Sequence, residues 1–252
     1  MHIDQSAFQR AIVTRSRRAR LLDIAVSVMA LALTGPLLVI AALGIKLSSP
    51  GPIFFVSDRV GRGGHAFRMV KLRTLHCHAP GSFLVGAGDA RLFPFGRLLR
   101  KTRLDEVPQF LNVLRGDMAL VGPRPRVHEV ADRHYIDWMT SIMNYLPGMT
   151  SPGTLYQVTI EDKTIVRAGC ERFYGLHILP RQVMIDLSYL DTATLRSDLV
   201  VIATTLWILV QHAAGRVAHF PERYRVVKDR TPLGVRGRFE TSGAAGQDHG
   251  CG

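Results

Sequence analysis

Residues 100–106, "RKTRLDE", set two adjacent carboxylates, Asp105 and Glu106, behind three cations, Arg100, Lys101 and Arg103. Such a pair can simply cap a helix, because exposed N-terminal amides favour negative charge. It can also divide a reaction, one carboxylate attacking an electrophile while the other binds a hard cation. The residues that follow say where the pair sits. Val107, Phe110, Leu111 and Leu114 fall at i, i+3, i+4 and i+7, the stripe of an amphipathic helix. Pro108 is tolerated only in a first turn, and Gly116 supplies a stop. Both acids are therefore expected at or just inside a helix N-terminus.

Several elements must position that helix. "MALV" (118–121) reads as a short buried strand running into the rigid turn Gly122-Pro123-Arg124-Pro125. Upstream, residues 53–75 alternate like two strands around a bend at Gly61–Gly64. Residues 76–90 lack any period and read as a loop. Residues 126–145 and 167–191 read as helices. Residues 199–210, "LVVIATTLWILV", are too short to span a bilayer and form either a core helix or one lying at a membrane surface. From Lys228 the tail is expected to be disordered. The fold class is α/β, mainly helical with a small sheet. The expected division is a basic segment (1–20), a membrane segment (21–48), a cytosolic domain (49–227) and the tail (228–252).

Residues 21–47 are almost wholly apolar, with Asp23 and Lys46 near the two ends. As one helix they would reach roughly 40 Å, enough to cross the hydrocarbon core. No small-x-small cleavage site follows, which argues against a signal peptide. Gly35-Pro36 interrupts the centre, where proline removes a backbone donor. Basic residues flank both sides, Arg10, Arg15, Arg17, Arg18 and Arg20 before and Arg59, Arg62, Arg68, Lys71 and Arg73 after. The positive-inside rule would hold both flanks in the cytoplasm. A re-entrant hairpin broken at Gly35-Pro36 satisfies both facts; a single span and a buried helix are the alternatives. Asp23 is either a cap at headgroup level or the partner of a nearby arginine.

A net charge of +12 and a pI near 10.3 call for an anionic partner, such as lipid headgroups, nucleic acid or phosphorylated small molecules. The three cysteines, Cys77, Cys170 and Cys251, form no C-x-x-C pair, so neither a disulfide framework nor a thiolate zinc site is suggested. His76 and His78 flank Cys77 as an incidental loop cluster.

Taken together, the ordered blocks resemble the bacterial sugar transferase family, the monotopic polyprenyl-phosphate phosphoglycosyl transferases. The blocks are Arg59-x-Gly61-x-x-Gly64-x-x-Phe67 with Lys71-Leu72-Arg73-Thr74, then Asp89-x-Arg91, Gly96 and Leu99-Arg100. Leu104-Asp105-Glu106-Val107-Pro108-Gln109, Asn112-Val113-Leu114-Arg115-Gly116-Asp117-Met118 and Val121-Gly122-Pro123-Arg124-Pro125 follow. Pro147-Gly148-Met149-Thr150 and "DLSYL…LRSDL" resemble the C-terminal part. Ser57, Leu72 and Phe93 depart from the commoner residues, which is expected to bear on the choice of sugar.

The resemblance implies transfer of a sugar 1-phosphate from a UDP-sugar to undecaprenyl phosphate, releasing UMP, at the start of exopolysaccharide, O-antigen or capsule synthesis. It implies Asp105 as nucleophile and a covalent phosphosugar intermediate, with Glu106 as ligand of Mg2+. Lys71, Arg73, Arg100 and Arg124, with the turn of Gly122, Pro123 and Pro125, are expected to clamp phosphate oxygens. The helix N-terminus and neighbouring cations are expected to keep Asp105 ionised. Expected partners are the anionic bilayer, downstream glycosyltransferases and a second copy as homodimer, with no nucleic acid. Expected localisation is the bacterial inner membrane, monotopic, with the catalytic domain facing the cytoplasm. The chain's length suggests the small form of the family. The rival reading is a membrane-anchored basic scaffold without catalysis.

Overall fold

The computed structural model describes residues 15–77, 85, 88–161 and 174–224. The tail, Arg10, residues 167–173 of the expected helix and most of the 76–90 loop lie outside the described residues.

Helix α1 (Arg17–Ser48) is one continuous helix of 32 residues, capped by Ser16, whose hydroxyl accepts from the Ala19 amide. The expected break is absent: Pro36 lies inside the helix. Proline frees one carbonyl and forfeits one amide bond, a cost a long apolar helix tolerates. Thr34 donates to the Ala30 carbonyl at 2.6 Å, a back-bond that favours bending at this point. The helix is long and apolar enough to cross a membrane.

The ends of α1 are fastened and its middle is not. Near the N-terminal end Asp23, fully buried, accepts from Arg15 Nε and Nη2 at 2.6 and 3.0 Å and from the Leu120 amide at 3.2 Å. Asp23 is thus the partner of an arginine, and that arginine also bridges to Asp198 at 3.2 Å. At the other end Ala41 and Ile45 join a core with Leu72, Phe93 and Leu99. Gly44 lets the Phe95 ring close against the helix, where a Cβ would lie 2.4 Å from it. Between these anchors, no residue from 28 to 40 is buried.

Strands β1 (Phe54–Val60) and β2 (Ala66–Leu72) form the expected hairpin, antiparallel, with Phe55 opposite Lys71 and Arg59 opposite Phe67. Gly63 and Gly64, both at positive φ, carry the bend. Helix α2 (Pro94–Thr102) leads to a 3-10 turn (Leu104–Glu106), α3 (Gln109–Arg115) and β3 (Ala119–Val121). The expected helix over 126–145 divides into α4 (His128–His134) and α5 (Asp137–Thr140), because Tyr135 and Ile136 between them are extended. Strand β4 (Gly148–Thr150) pairs in parallel with β3, so the expected small sheet is two separate two-stranded sheets.

Helices α6 (Pro152–Tyr156), α7 (Leu179–Leu190) and α8 (Leu195–Ala213) complete the domain. Helix α8 packs one face into the core and leaves apolar residues exposed on another. Val201 and Ile208 are buried, while Leu199, Leu206, Trp207 and Val210 are exposed.

Asp186 of α7 is buried under α6, accepting the Gly153 amide at 2.7 Å. Burial pushes its carboxyl up to about 7, against the lowering pull of the Gly153 amide, Ser151 and Arg126. An unfolded aspartate titrates near ~3.9. Between these values the folded chain binds more protons, so stability falls as pH rises from about 4 to about 7 and is flat above. Asp186→Asn keeps an acceptor for Gly153 and removes the titration. Its unfolding temperature, measured from pH 5 to 8, is expected to vary less than that of the parent; equal slopes would refute this assignment.

Candidate active site

The site is built at the corner where α2 ends. Arg103 adopts a left-handed backbone (φ 58°), and among the described residues no other non-glycine has positive φ. This conformation is unfavourable for a side chain with a Cβ. It turns the chain sharply, so that the 3-10 turn points Asp105 inward, 5% exposed. The two acids therefore precede α3 rather than opening it, and α3 itself begins only at Gln109.

Arg124 closes the other side. It belongs to the turn after β3, which is held against residues 146–148 by backbone contact. Gly122 donates to the Thr150 carbonyl and Gly148 to the Pro123 carbonyl, each at 2.9 Å. A Cβ on Gly122 would lie 2.4 Å from the Leu146 carbonyl oxygen, so glycine is required by the close approach. From this turn Arg124 Nη2 reaches Glu106 Oε1 at 3.3 Å, and Arg103 Nη1 reaches the same oxygen at 3.4 Å. A cleft bounded by Gly61, Arg124, Arg126, Tyr135 and Tyr145 adjoins this pair.

The hairpin and α2 supply the remaining cations. Arg100 is aimed by Thr74 Oγ1 at 3.1 Å and the Val85 carbonyl at 3.2 Å. Gly96 allows that approach, since a Cβ there would lie 2.2 Å from the Thr74 carbonyl oxygen. Lys71 lies over the Phe55 ring, 5.3 Å from its centroid. Burial lowers the Lys71 ammonium to about 8, helped by Arg59 and Arg100 and opposed by Asp105 and Glu106. Arg59 is likewise lowered to about 10, by burial first and then by Arg124 and Arg126. Cations this crowded and desolvated gain from an added anion, which is the condition for binding a phosphate.

The two carboxylates are driven apart. Burial raises Asp105, Glu106 raises it further, and Lys71, Arg100 and Arg103 limit the rise. Burial alone would also raise Glu106, but Arg124, Arg103 and Lys71 outweigh it and hold Glu106 below the usual range. The neighbouring cations favour the charged form of Asp105, as expected, but they do not set the direction of its shift. Its net shift is upward, because it is buried beside a second carboxylate. A more basic carboxylate is the better nucleophile, and a firmly ionised one is the better cation ligand, so the environments assign different tasks.

Two residues not foreseen as functional set this geometry. Asn112, fully buried on α3, accepts from the Val70 amide at 3.0 Å and donates to the Arg68 carbonyl at 2.7 Å. Its carboxamide thus pairs with the free edge of β2 as a neighbouring strand would, tying α3 to the strand that carries Lys71. Arg20 of α1 donates to the carbonyls of Val113 and Leu114 at 2.6 and 3.0 Å, closing the C-terminal end of α3. The only sequence signal for Asn112 is its polarity inside an apolar stretch. Arg20 carries none.

Of the expected phosphate ligands, Lys71, Arg100 and Arg124 converge on the dyad. Arg73 does not serve that role. It is 4% exposed, and its guanidinium donates to Ser49 Oγ and the carbonyls of Ser49, Pro52 and Leu75. It ties the end of α1 to the sheet. Leu72 and Phe93 lie in the core beside Ala41 and Ile45, so these departures adjust packing and do not contact a sugar. His76 pairs with Ser49 Oγ at 3.2 Å.

Asp105 Oδ1 is buried with no hydrogen-bond partner. An orphan carboxylate oxygen beside Glu106, whose Oε1 takes both arginines, suits a hard cation. Among the described residues no group of three or more His, Cys, Asp or Glu gathers to hold a metal. Magnesium takes few protein carboxylates and completes its shell with phosphate and water, so one or two such oxygens would suffice to hold it.

Fold and site join a helix long and apolar enough to cross a membrane to a domain with a buried carboxylate dyad among cations. The chain belongs to the bacterial sugar transferase family, whose model matches residues 14–212. It is similar to a UDP-glucose:undecaprenyl-phosphate glucose-1-phosphate transferase of Caulobacter vibrioides, at 40% identity over 75% of this chain and 68% of that protein. A putative undecaprenyl-phosphate N-acetylgalactosaminyl 1-phosphate transferase of Bacillus subtilis is 36% identical over 52% of this chain and 70% of its own length. An N-acetylgalactosaminephosphotransferase of Aeromonas hydrophila is 43% identical over 44% of this chain but only 27% of its own.

Proposed function

We propose that this protein is an undecaprenyl-phosphate sugar-1-phosphate transferase that uses a UDP-sugar and initiates a polysaccharide. The observation that carries the reading is the dyad itself, two adjacent carboxylates driven apart in basicity and ringed by Lys71, Arg100 and Arg124. Relatives acting on UDP-glucose and UDP-N-acetylgalactosamine support a UDP-sugar donor.

Asp105 attacks the phosphorus that carries the sugar. The bond from that phosphorus to the bridging oxygen breaks, and UMP leaves with the electron pair. The resulting acyl phosphate is reactive enough to be attacked in turn. An oxygen of the lipid phosphate then displaces the Asp105 carboxylate, which is restored. Lys71, Arg100 and Arg124 hold phosphate oxygens through both displacements. Glu106 would hold magnesium, which when bound neutralises charge on the diphosphate and the departing UMP.

Membranes containing the protein, given undecaprenyl phosphate, magnesium and a panel of UDP-sugars, are expected to release UMP with at least one sugar. No UMP from any of them would favour the non-catalytic anchor.

The fastening of α1 supports a re-entrant topology, in which the helix enters and leaves by one leaflet with the domain on the cytoplasmic face. A spanning helix has its ends on opposite sides of a core about 30 Å thick. Here Asp23 and Ile45 are both held by the same domain, while no residue from 28 to 40 is buried. Tags at both termini should then be accessible from the cytoplasm alone; a periplasmic N-terminus would remove this topology.

A further inference from the structure

Beside the dyad, the first residues of β1 form an apolar surface that the fold does not explain. Phe54, Phe55 and Val56 are 48, 42 and 41% exposed. Consecutive strand residues point to opposite faces, so exposed apolar side chains stand on both faces of the start of β1. The patch starts just after α1 ends, where Arg73 binds Ser49 and Pro52 and so holds helix end and strand start together. Leu43 and Leu47 on the last turns of α1 are exposed as well, at 61 and 89%. Lys71 stands directly across from Phe55, with its ammonium over that ring. Its ammonium donates no hydrogen bond to any described residue and faces the charges of Asp105 and Glu106.

Exposed apolar side chains at the start of β1 and on the last turns of α1, with an ammonium group set over one of the rings, match one chemistry, a phosphate carried on a long hydrocarbon chain. We propose that Phe54, Phe55 and Val56 seat the first isoprene units of the polyprenyl phosphate acceptor, while Lys71 receives its phosphate. This seat rests on the transferase reading above, and it assigns specificity for the acceptor to the hairpin rather than to the dyad. A bilayer phospholipid shares the chemistry of phosphate and chain, so the test separates the two.

The full-length protein in phosphatidylglycerol–phosphatidylethanolamine nanodiscs is compared with Phe54→Ser/Phe55→Ser and with Phe55→Leu. Three quantities are read: UMP released in a single turnover without acceptor, KM for C55 and C10 isoprenoid phosphates, and crosslinking to a benzophenone-tagged C55 phosphate. The double serine variant is expected to raise KM for the C55 acceptor by at least about tenfold, the loss of a buried aromatic contact. Its crosslinking should fall, its single-turnover UMP release should stay within about twofold of the parent, and Phe55→Leu should restore most of the loss. An unchanged acceptor KM with unchanged crosslinking would overturn the seat. So would an equal fall in both half-reactions, which would mean that the patch only rests in bulk lipid or supports the fold. If the parent releases no UMP from any UDP-sugar, the transferase reading fails, and crosslinking alone decides the seat.

Discussion

Replacing Asp105 by asparagine is expected to lower UMP release by at least about a thousandfold, as the removal of a nucleophile does. The substitution conserves size, and Asp105 accepts no hydrogen bond at Oδ1 that asparagine would disturb. Folding should therefore be intact, and the loss should fall on chemistry. The donor's radiolabelled sugar phosphate should become bound to the parent protein before acceptor is added, and the asparagine variant should show no label. Glu106→Gln makes the contrast. Glutamine can still accept from Arg103 and Arg124 but brings no charge, so a second-carboxylate role predicts weaker magnesium dependence and slower labelling rather than none. Label retained on the asparagine variant at the parent's rate would remove Asp105 as the nucleophile, the role its upward shift beside a lowered Glu106 supports. Equal losses in both variants without label would instead point to a shared role in holding the metal.

What could be read from the sequence was local. Alternation around Gly61–Gly64 gave the hairpin, and the short spacing from Arg100 to Glu106 gave the site, because the residues that meet there are close in the chain or lie in rigid turns. The errors came where distant parts meet. The stripe of Val107, Phe110, Leu111 and Leu114 suggested an apolar buried face, yet α3 buries Gln109, Asn112 and Val113 and leaves Leu111 exposed. A polar side chain pairing with a strand edge has no hydrophobic period, so the pattern could not show it. Arg73 and Arg100 look alike in sequence. Only the fold shows that backbone carbonyls consume one guanidinium while the other reaches toward the dyad. Pro36 suggested a broken helix, because local rules count the lost donor and not the tolerance of a long apolar helix for it.

The same limit of locality hides the contact with the largest expected effect on stability, between residues 97 apart in the chain. Asp23 carries no exposure at all and serves three donors, two from Arg15 and one from the Leu120 amide. Ser27, one turn further along α1, is buried with no partner for its hydroxyl, so it offers no substitute acceptor. Asp23→Ala would leave the Leu120 amide unsatisfied and Arg15 with only Asp198 and the Val121 carbonyl. Losing one member of a buried ion pair costs about 3 kcal/mol or more, and a domain of this size loses roughly 2–4 °C per kcal/mol. An unfolding temperature lowered by about 6–12 °C in detergent is therefore expected. Asp23→Asn, which keeps an acceptor for Leu120 and loses the charge, should lose less. In the double variant Arg15→Ala/Asp23→Ala the loss should fall short of the sum of the two single ones, because the cost lies in the orphaned partner. A shift below about 2 °C for Asp23→Ala would show that water replaces the carboxylate. Activity should decline with stability, since α1 also carries Arg20, which closes the end of α3 behind the dyad. The membrane helix is thereby a structural part of the active site, and loosening it at Asp23 should move Asp105 without touching it.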